Sequence, residues 1–227
     1  MRAILIHGMG RTPLSMLLLA RRLAAAGLQP ETFGYTATFE SWDGCCSRLH
    51  RRIERGGARP YVLIGHSLGS VLIRGVLPQL VIPPLACFFL APPACACRAA
   101  RMLAGFRLYR WLNGQMGQLL ARPDFMAALP VPAVPAKIYA GTGGPAGRWS
   151  LFPDRPNDGV LALEESRIGD IPLEPVPATH TFIMNRRAVA EDIIRTLATL
   201  GGSPGHPGPA RISAGQAGMR EPPQGID

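Results

Sequence analysis

Residues 61–77 read YVLIGHSLGSVLIRGVL. The stretch opens on a short apolar run, Tyr61-Val62-Leu63-Ile64, and closes on an apolar helical pattern from Ser70 to Leu77. Between them, Gly65-His66-Ser67-Leu68-Gly69 fits G-x-S-x-G. A serine placed there, where a strand turns at once into a helix, sits on a nucleophile elbow. A Cβ two residues either side of the serine would clash in so sharp a turn, which accounts for glycine at both places. The bend lifts the Ser67 hydroxyl clear of the backbone, and the helix behind it aims its N-terminus at the reacting group. The chain holds 26 glycines, so the bare pattern is weakly specific and its surroundings must carry the reading.

Ile4-Leu5-Ile6 reads as a second buried strand and runs directly into His7-Gly8-Met9-Gly10. An HG pair in this position resembles the loop that precedes the nucleophile in lipases and esterases. Acyl transfer places negative charge on a carbonyl oxygen, and two backbone N–H groups in a dry site stabilise it. The two candidates are the N–H of Leu68, just after the serine, and that of Met9, just after the HG pair. Glycines at 8 and 10 let the chain bend so that the Met9 N–H faces the site. The bland alternative is a Gly-rich connection with no charge to bind.

The length suits one domain, with residues 1–200 as its body. Residues 201–227 shift to Gly, Pro, Ser and Gln and read as a disordered tail. Hydrophobic residues make up 47% of the chain, yet no apolar run reaches the ~18 residues of a membrane span. The sequence opens Met1-Arg2-Ala3 and is at once inside a strand, so the expectation is a cytoplasmic protein without a signal peptide. The five cysteines, Cys45, Cys46, Cys87, Cys95 and Cys97, show neither a C-x-x-C pair nor zinc-ligand spacing and read as reduced thiols. The net charge of +9 is almost wholly arginine, with Lys137 the only lysine. Such a balance suits contact with anionic membranes or anionic substrates. Abundant Ala, Gly, Pro and Arg beside nearly absent Lys also fits a bias toward GC-rich codons. No aromatic interleaving marks a nucleic-acid surface, and none is expected.

Apolar strands alternate with helical patterns, the signature of a parallel sheet covered on both faces. Strands are expected at 2–6, 29–35, 61–64, 85–90, 136–140 and 171–176. Thr12 and Pro13 read as the N-cap and first residue of a helix that Gly27 ends. Further helices are expected at 45–55, 70–77 and 186–199. Residues 94–130 are less regular and carry Met102, Phe106, Tyr109, Trp111, Met116 and Phe125 among arginines. They read as a cap that lines an acyl pocket, as an outer helix with its core face, or as both.

A serine hydroxyl needs a histidine base, and the base needs a carboxylate to orient it. With this elbow the partners follow in the order serine, acid, histidine. Of five histidines, His7 lies in the HG loop, His50 in an upstream helix, His66 inside the elbow and His206 in the tail. His180 remains, just after the last strand and before the last helix. The acid should follow the strand at 136–140, where Asp154 and Asp158 compete. Asp158 is favoured because Asn157-Asp158-Gly159-Val160 is a turn before an apolar run, which holds a carboxylate on a short loop.

The pieces IHGMGRTPLSM, GHSLGSVLIRG, FFLAPP, PNDGVLALEESR and THTFIMN together resemble the α/β-hydrolase superfamily, and most of all its small bacterial lipase and esterase members. The resemblance spans residues 3–199. It implies a minimal α/β-hydrolase fold, with a mostly parallel sheet of about six strands and helices on both faces. The first strand here matches the third of a full hydrolase sheet, so the two leading strands are missing. The resemblance also implies a Ser67–His180–Asp158 triad, no metal and no organic cofactor. The expected activity is hydrolysis of a small-molecule carboxylic ester with an apolar acyl group, through an acyl-enzyme. The alternatives are an acyl thioesterase or acyltransferase on the same residues, and a non-catalytic binding protein on a hydrolase fold.

Overall fold

The structure is a computed structural model that describes residues 1–105, 107–148 and 150–201. The expected tail therefore lies outside the described residues apart from Gly201, as do His206 and Phe106. Six strands form one sheet: β1 (Arg2–Ile6), β2 (Gln29–Phe33), β3 (Tyr61–His66), β4 (Ala86–Leu90), β5 (Ala136–Gly141) and β6 (Leu173–Val176). Their order across the sheet is β2-β1-β3-β4-β5-β6, and every neighbouring pair is parallel.

Alternation along the strands builds two cores. Ile4, Ile6, Leu63, Cys87, Phe89 and Ile138 face one side. There they meet α2 (Trp42–Glu54) and α3 (Leu68–Val76) through Leu49, Ile53, Val71 and Leu72. Ala3, Leu5, Val62, Ile64, Phe88 and Tyr139 face the other. There they meet α1 (Leu17–Ala25) and α7 (Arg187–Gly201) through Leu19, Leu23, Val189 and Ile193. Strands buried on both faces read as continuous apolar runs for this reason. The exceptions are the two edge strands, β2 (QPETF) and β6 (LEPV), which are only partly buried and where Pro30 and Pro175 cost no interior ladder bond. Arg2 ties β2 down through a 2.7 Å bond from Nε to Glu31 Oε1.

The start of the first helix differs from the expectation. Pro13–Met16 forms a tighter 3₁₀ turn before α1, and Thr12 makes no side-chain capping bond. Ser15 Oγ instead donates to the Thr12 carbonyl at 2.8 Å.

Residues 94–130 form α4 (Arg98–Leu103), α5 (Arg107–Leu119) and α6 (Pro123–Ala128). The run of α5 is broken at Gly114, whose φ of 52° and ψ of −150° are not helical. Met116 is buried and Phe125 half-buried, its ring edge-on to Trp42 with centroids 5.0 Å apart. Met102 and Trp111 are 52% and 73% exposed. On α4 the small residues Ala99 and Ala100 take the inner side instead.

Candidate active site

Ser67 stands between the end of β3 and the first residue of α3. Its φ of 50° and ψ of −119° lie where a side chain is normally excluded. Neighbours hold it there: the Ser67 N–H donates to the Leu90 carbonyl at 2.9 Å, and the Ser70 N–H donates to the Ser67 carbonyl at 2.9 Å. The flanking glycines answer to close packing. A Cβ on Gly65 would lie 2.6 Å from the Ser70 nitrogen, and one on Gly69 would lie 2.3 Å from the Ile6 carbonyl oxygen. The elbow is thus pressed against β1 with no room for a methyl group.

The HG loop leaves the end of β1. His7 is 1% exposed, and its ring stacks on Tyr35 with centroids 4.4 Å apart. Its Nδ1 lies 2.8 Å from the Gly8 carbonyl, an acceptor only, so Nδ1 carries the proton. Nε2 then accepts from the Tyr35 N–H at 3.4 Å, and the Tyr35 hydroxyl donates to the His7 carbonyl at 2.9 Å. Burial lowers the pKa of His7 and keeps it neutral. This pairing anchors the loop that carries Met9. Leu68 begins α3, so its N–H is one of the first-turn donors without an intrahelical partner.

Asp158 follows β5 across a loop folded by Asn157. The amide of Asn157 is 3% exposed. Its Nδ2 donates to the carbonyls of Pro145, Phe152 and Arg155 at 3.2, 3.4 and 3.0 Å. Its Oδ1 accepts from the Gly159 N–H at 2.9 Å. Asp158 is 2% exposed, and its Oδ1 accepts from the N–H groups of Val160 at 2.9 Å and Leu161 at 2.7 Å. Asp158 Oδ2 lies 2.7 Å from His180 Nδ1. Asp154, the competing acid, is exposed on the same loop.

His180 opens the turn that follows β6. Its Nε2 lies 2.9 Å from Ser67 Oγ. The structure therefore brings Ser67, His180 and Asp158 into one hydrogen-bonded line. Its backbone is held at both ends: the N–H donates to the Asp158 carbonyl at 2.9 Å, and the carbonyl accepts from His66 Nε2 at 2.9 Å. His66 is 1% exposed, and burial, then the nearby His180, pushes its pKa well below 6.5. Its protonated Nε2 leaves Nδ1 as a bare lone pair without a partner. That nitrogen faces Gly8, where a Cβ would lie 2.7 Å away.

Ser67 and His180 open into a cavity of about 210 Å³ walled by Met9, Cys97, Ala100, Leu120 and Leu161. Larger grooves occur elsewhere on the surface, such as one of about 460 Å³ beside Tyr35, but they contain neither Ser67 nor His180. Burial raises the Cys97 thiol to about 11, so it lines the wall as an apolar group. Helix α4 and the acid loop are joined by Glu165, whose carboxylate accepts from the N–H groups of Arg98 at 2.7 Å and Ala162 at 3.1 Å.

His66, Asn157 and Glu165 were not singled out as supports by sequence reasoning. For Asn157 a signal existed in the Asn-Asp-Gly turn. The other two act across long sequence separations.

No family model matches the chain. No curated protein matches it either. Solved structures do. The mature lipase BlEst2 of Bacillus licheniformis superposes with a TM-score of 0.63 at 13% identity, over 86% of this chain and 91% of that one. The RedJ thioesterase of the prodiginine pathway in Streptomyces coelicolor gives 0.58 at 16% identity, over 88% and 85%. A hydrolase of the α/β superfamily from Xanthomonas campestris gives 0.53 at 21% identity, over 87% and 98%. At such identities the likeness is one of fold. With its parallel six-stranded sheet and its strand-elbow-helix unit, the chain has the α/β-hydrolase fold.

Proposed function

We propose that this protein is a serine hydrolase that cleaves carboxylic esters of apolar acyl groups through an acyl-enzyme. The observation that carries the reading is the line from Ser67 Oγ to His180 Nε2, 2.9 Å, and from His180 Nδ1 to Asp158 Oδ2, 2.7 Å, at the mouth of an apolar cavity. Asp158 fixes the tautomer with the proton on Nδ1, which leaves Nε2 free to accept the Ser67 proton. Ser67 Oγ attacks the ester carbonyl, and the N–H groups of Met9 and Leu68 stabilise the oxyanion. The imidazolium returns its proton to the leaving alcohol. A water deprotonated by His180 then releases the acid and restores the serine.

The apolar cavity wall favours an acyl chain over a charged group. The named neighbours include a lipase and a thioesterase, and either leaving group suits the same acyl-enzyme. Hydrolysis of p-nitrophenyl esters and of matched acyl thioesters, by wild type and Ser67→Ala, tests both. Serine-dependent ester turnover supports the reading, and turnover confined to thioesters moves it to the thioesterase alternative. Absence of both from folded protein leaves the non-catalytic one.

A further inference from the structure

A second surface lies just beside this site and plays no part in the chemistry above. An open groove of about 340 Å³ runs between the first helix and the turn that follows His180. Four large apolar side chains on it stand in water: Leu14 is 75% exposed, Phe182 58%, Leu18 42% and Leu17 40%. Helix α1 already fills its core face with Leu19, Ala20 and Leu23, so Leu17 and Leu18 are surplus to folding. A contiguous exposed apolar cluster on a soluble fold marks an interaction surface.

The charge around the groove indicates what covers it. Arg11 and Arg21 line it with the apolar residues. The two segments that build its walls, residues 3–30 and 175–190, contain no aspartate or glutamate but carry Arg11, Arg21, Arg22, Arg186 and Arg187; of these, among the described residues, Arg187 alone pairs with a carboxylate, Glu191 at 2.6 Å. Arg11 and Arg22 donate to the carbonyls of Thr181 and Asn185 at 3.3 and 2.6 Å, which holds them in place without cancelling their charge. Among the described residues, neither Arg11 nor Arg21 forms an ion pair with a carboxylate. Protruding apolar side chains ringed by uncancelled guanidinium groups match a surface that is anionic outside and apolar just beneath.

We propose that this groove docks the protein on anionic lipid surfaces. Leu14, Leu17, Leu18 and Phe182 enter the acyl boundary, while Arg11 and Arg21 meet the headgroup phosphates. Thr181 and Phe182 directly follow His180, and Arg11 bonds the Thr181 carbonyl, so the docked face adjoins the mouth of the apolar cavity. The docking goes beyond the ester-hydrolase reading and does not depend on it.

Vesicle flotation of the full chain carrying Ser67→Ala tests the proposal without lipid turnover. Phosphatidylcholine vesicles with about 30% phosphatidylglycerol should carry at least ~10 times more protein than phosphatidylcholine alone. The excess should shrink as salt rises from about 0.1 to 0.5 M. Leu14→Ser with Leu18→Ser should cut binding at least ~10-fold, and Arg21→Gln alone about fivefold. Leu14, Leu18 and Arg21 are all exposed, so the melting transition should stay at its wild-type position. Arg51→Gln with Arg55→Gln, exposed positions in and just after α2 on the opposite side of the sheet from α1, should leave binding intact. No flotation on anionic vesicles overturns the proposal. Equal loss in the Arg51/Arg55 control also overturns it, by showing that net charge rather than this face is responsible. A concentration-dependent dimer that Leu14→Ser abolishes, without vesicle binding, assigns the groove to a second copy instead.

Discussion

His66 Nε2 lies 2.9 Å from the carbonyl oxygen of His180, so the residue before the elbow serine holds the backbone of the residue that faces that serine. Ser67 and His180 are thereby tied through two backbones, not only through their side chains. The bond needs a proton on Nε2, and burial keeps the ring neutral, so that Nδ1 stays bare.

That burial has a pH signature. His66 binds no proton in the fold near neutrality, whereas an unfolded histidine takes one below about 6.5. Its folded pKa is depressed, so stability is full above pH 6.5 and is lost as pH falls below it toward the folded value. The slope is at most about 1.4 kcal/mol per pH unit for one proton. Urea unfolding at several pH values between 7 and 5 should show a steeper loss in wild type than in His66→Gln. Identical slopes would contradict a buried neutral His66.

Asp158 and Asp154 share one loop and separate cleanly as variants. Asp158→Asn removes the acceptor from His180 Nδ1 and should lower kcat for ester hydrolysis by about 10⁴-fold. Asp154→Asn alters an exposed side chain and should change kcat less than about twofold. Steady-state kinetics on the two variants checks this, and a larger loss at Asp154 would reverse the assignment.

Gly69→Ala places a methyl group 2.3 Å from the Ile6 carbonyl oxygen, backbone that cannot swing aside. The expected cost is about 3 kcal/mol or more, with activity lost alongside stability. A melting curve and soluble yield close to wild type would show that the elbow packs more loosely than described.

On the proposed ester-hydrolase reading, the cavity wall limits the length of the acyl chain. Ala100 is 5% exposed and lines the cavity of about 210 Å³. Ala100→Leu should shift the preferred p-nitrophenyl ester toward shorter chains, with kcat/KM for acetate changed less than that for octanoate. A uniform change across the series would place the acyl group elsewhere.

Much of the framework is legible in the chain itself. The strands β1, β3 and β4 are apolar runs because both sheet faces are covered, and GHSLG marks the one turn that closes without side chains at 65 and 69. His180 and Asp158 are placed by order along the chain and by turn chemistry. What was not legible depends on distant partners. Nothing local in His66 announces a bond to a carbonyl 114 residues away. Within 94–130 the large residues Met102 and Trp111 stand exposed, whereas the small Ala99 and Ala100 form the inner wall. Composition cannot rank small against large side chains when the opposing surface is a cavity.

The central claim is that Ser67 is a nucleophile driven by His180. The most direct measurement is intact-protein and peptide mass spectrometry after exposure to a p-nitrophenyl alkylphosphonate, an ester mimic that traps the attacking oxygen. The account predicts one phosphonyl adduct on the peptide holding Ser67, none in Ser67→Ala, and labelling slowed at least ~100-fold in His180→Ala. A folded wild-type protein that takes no adduct, or takes it at another residue, would contradict the account.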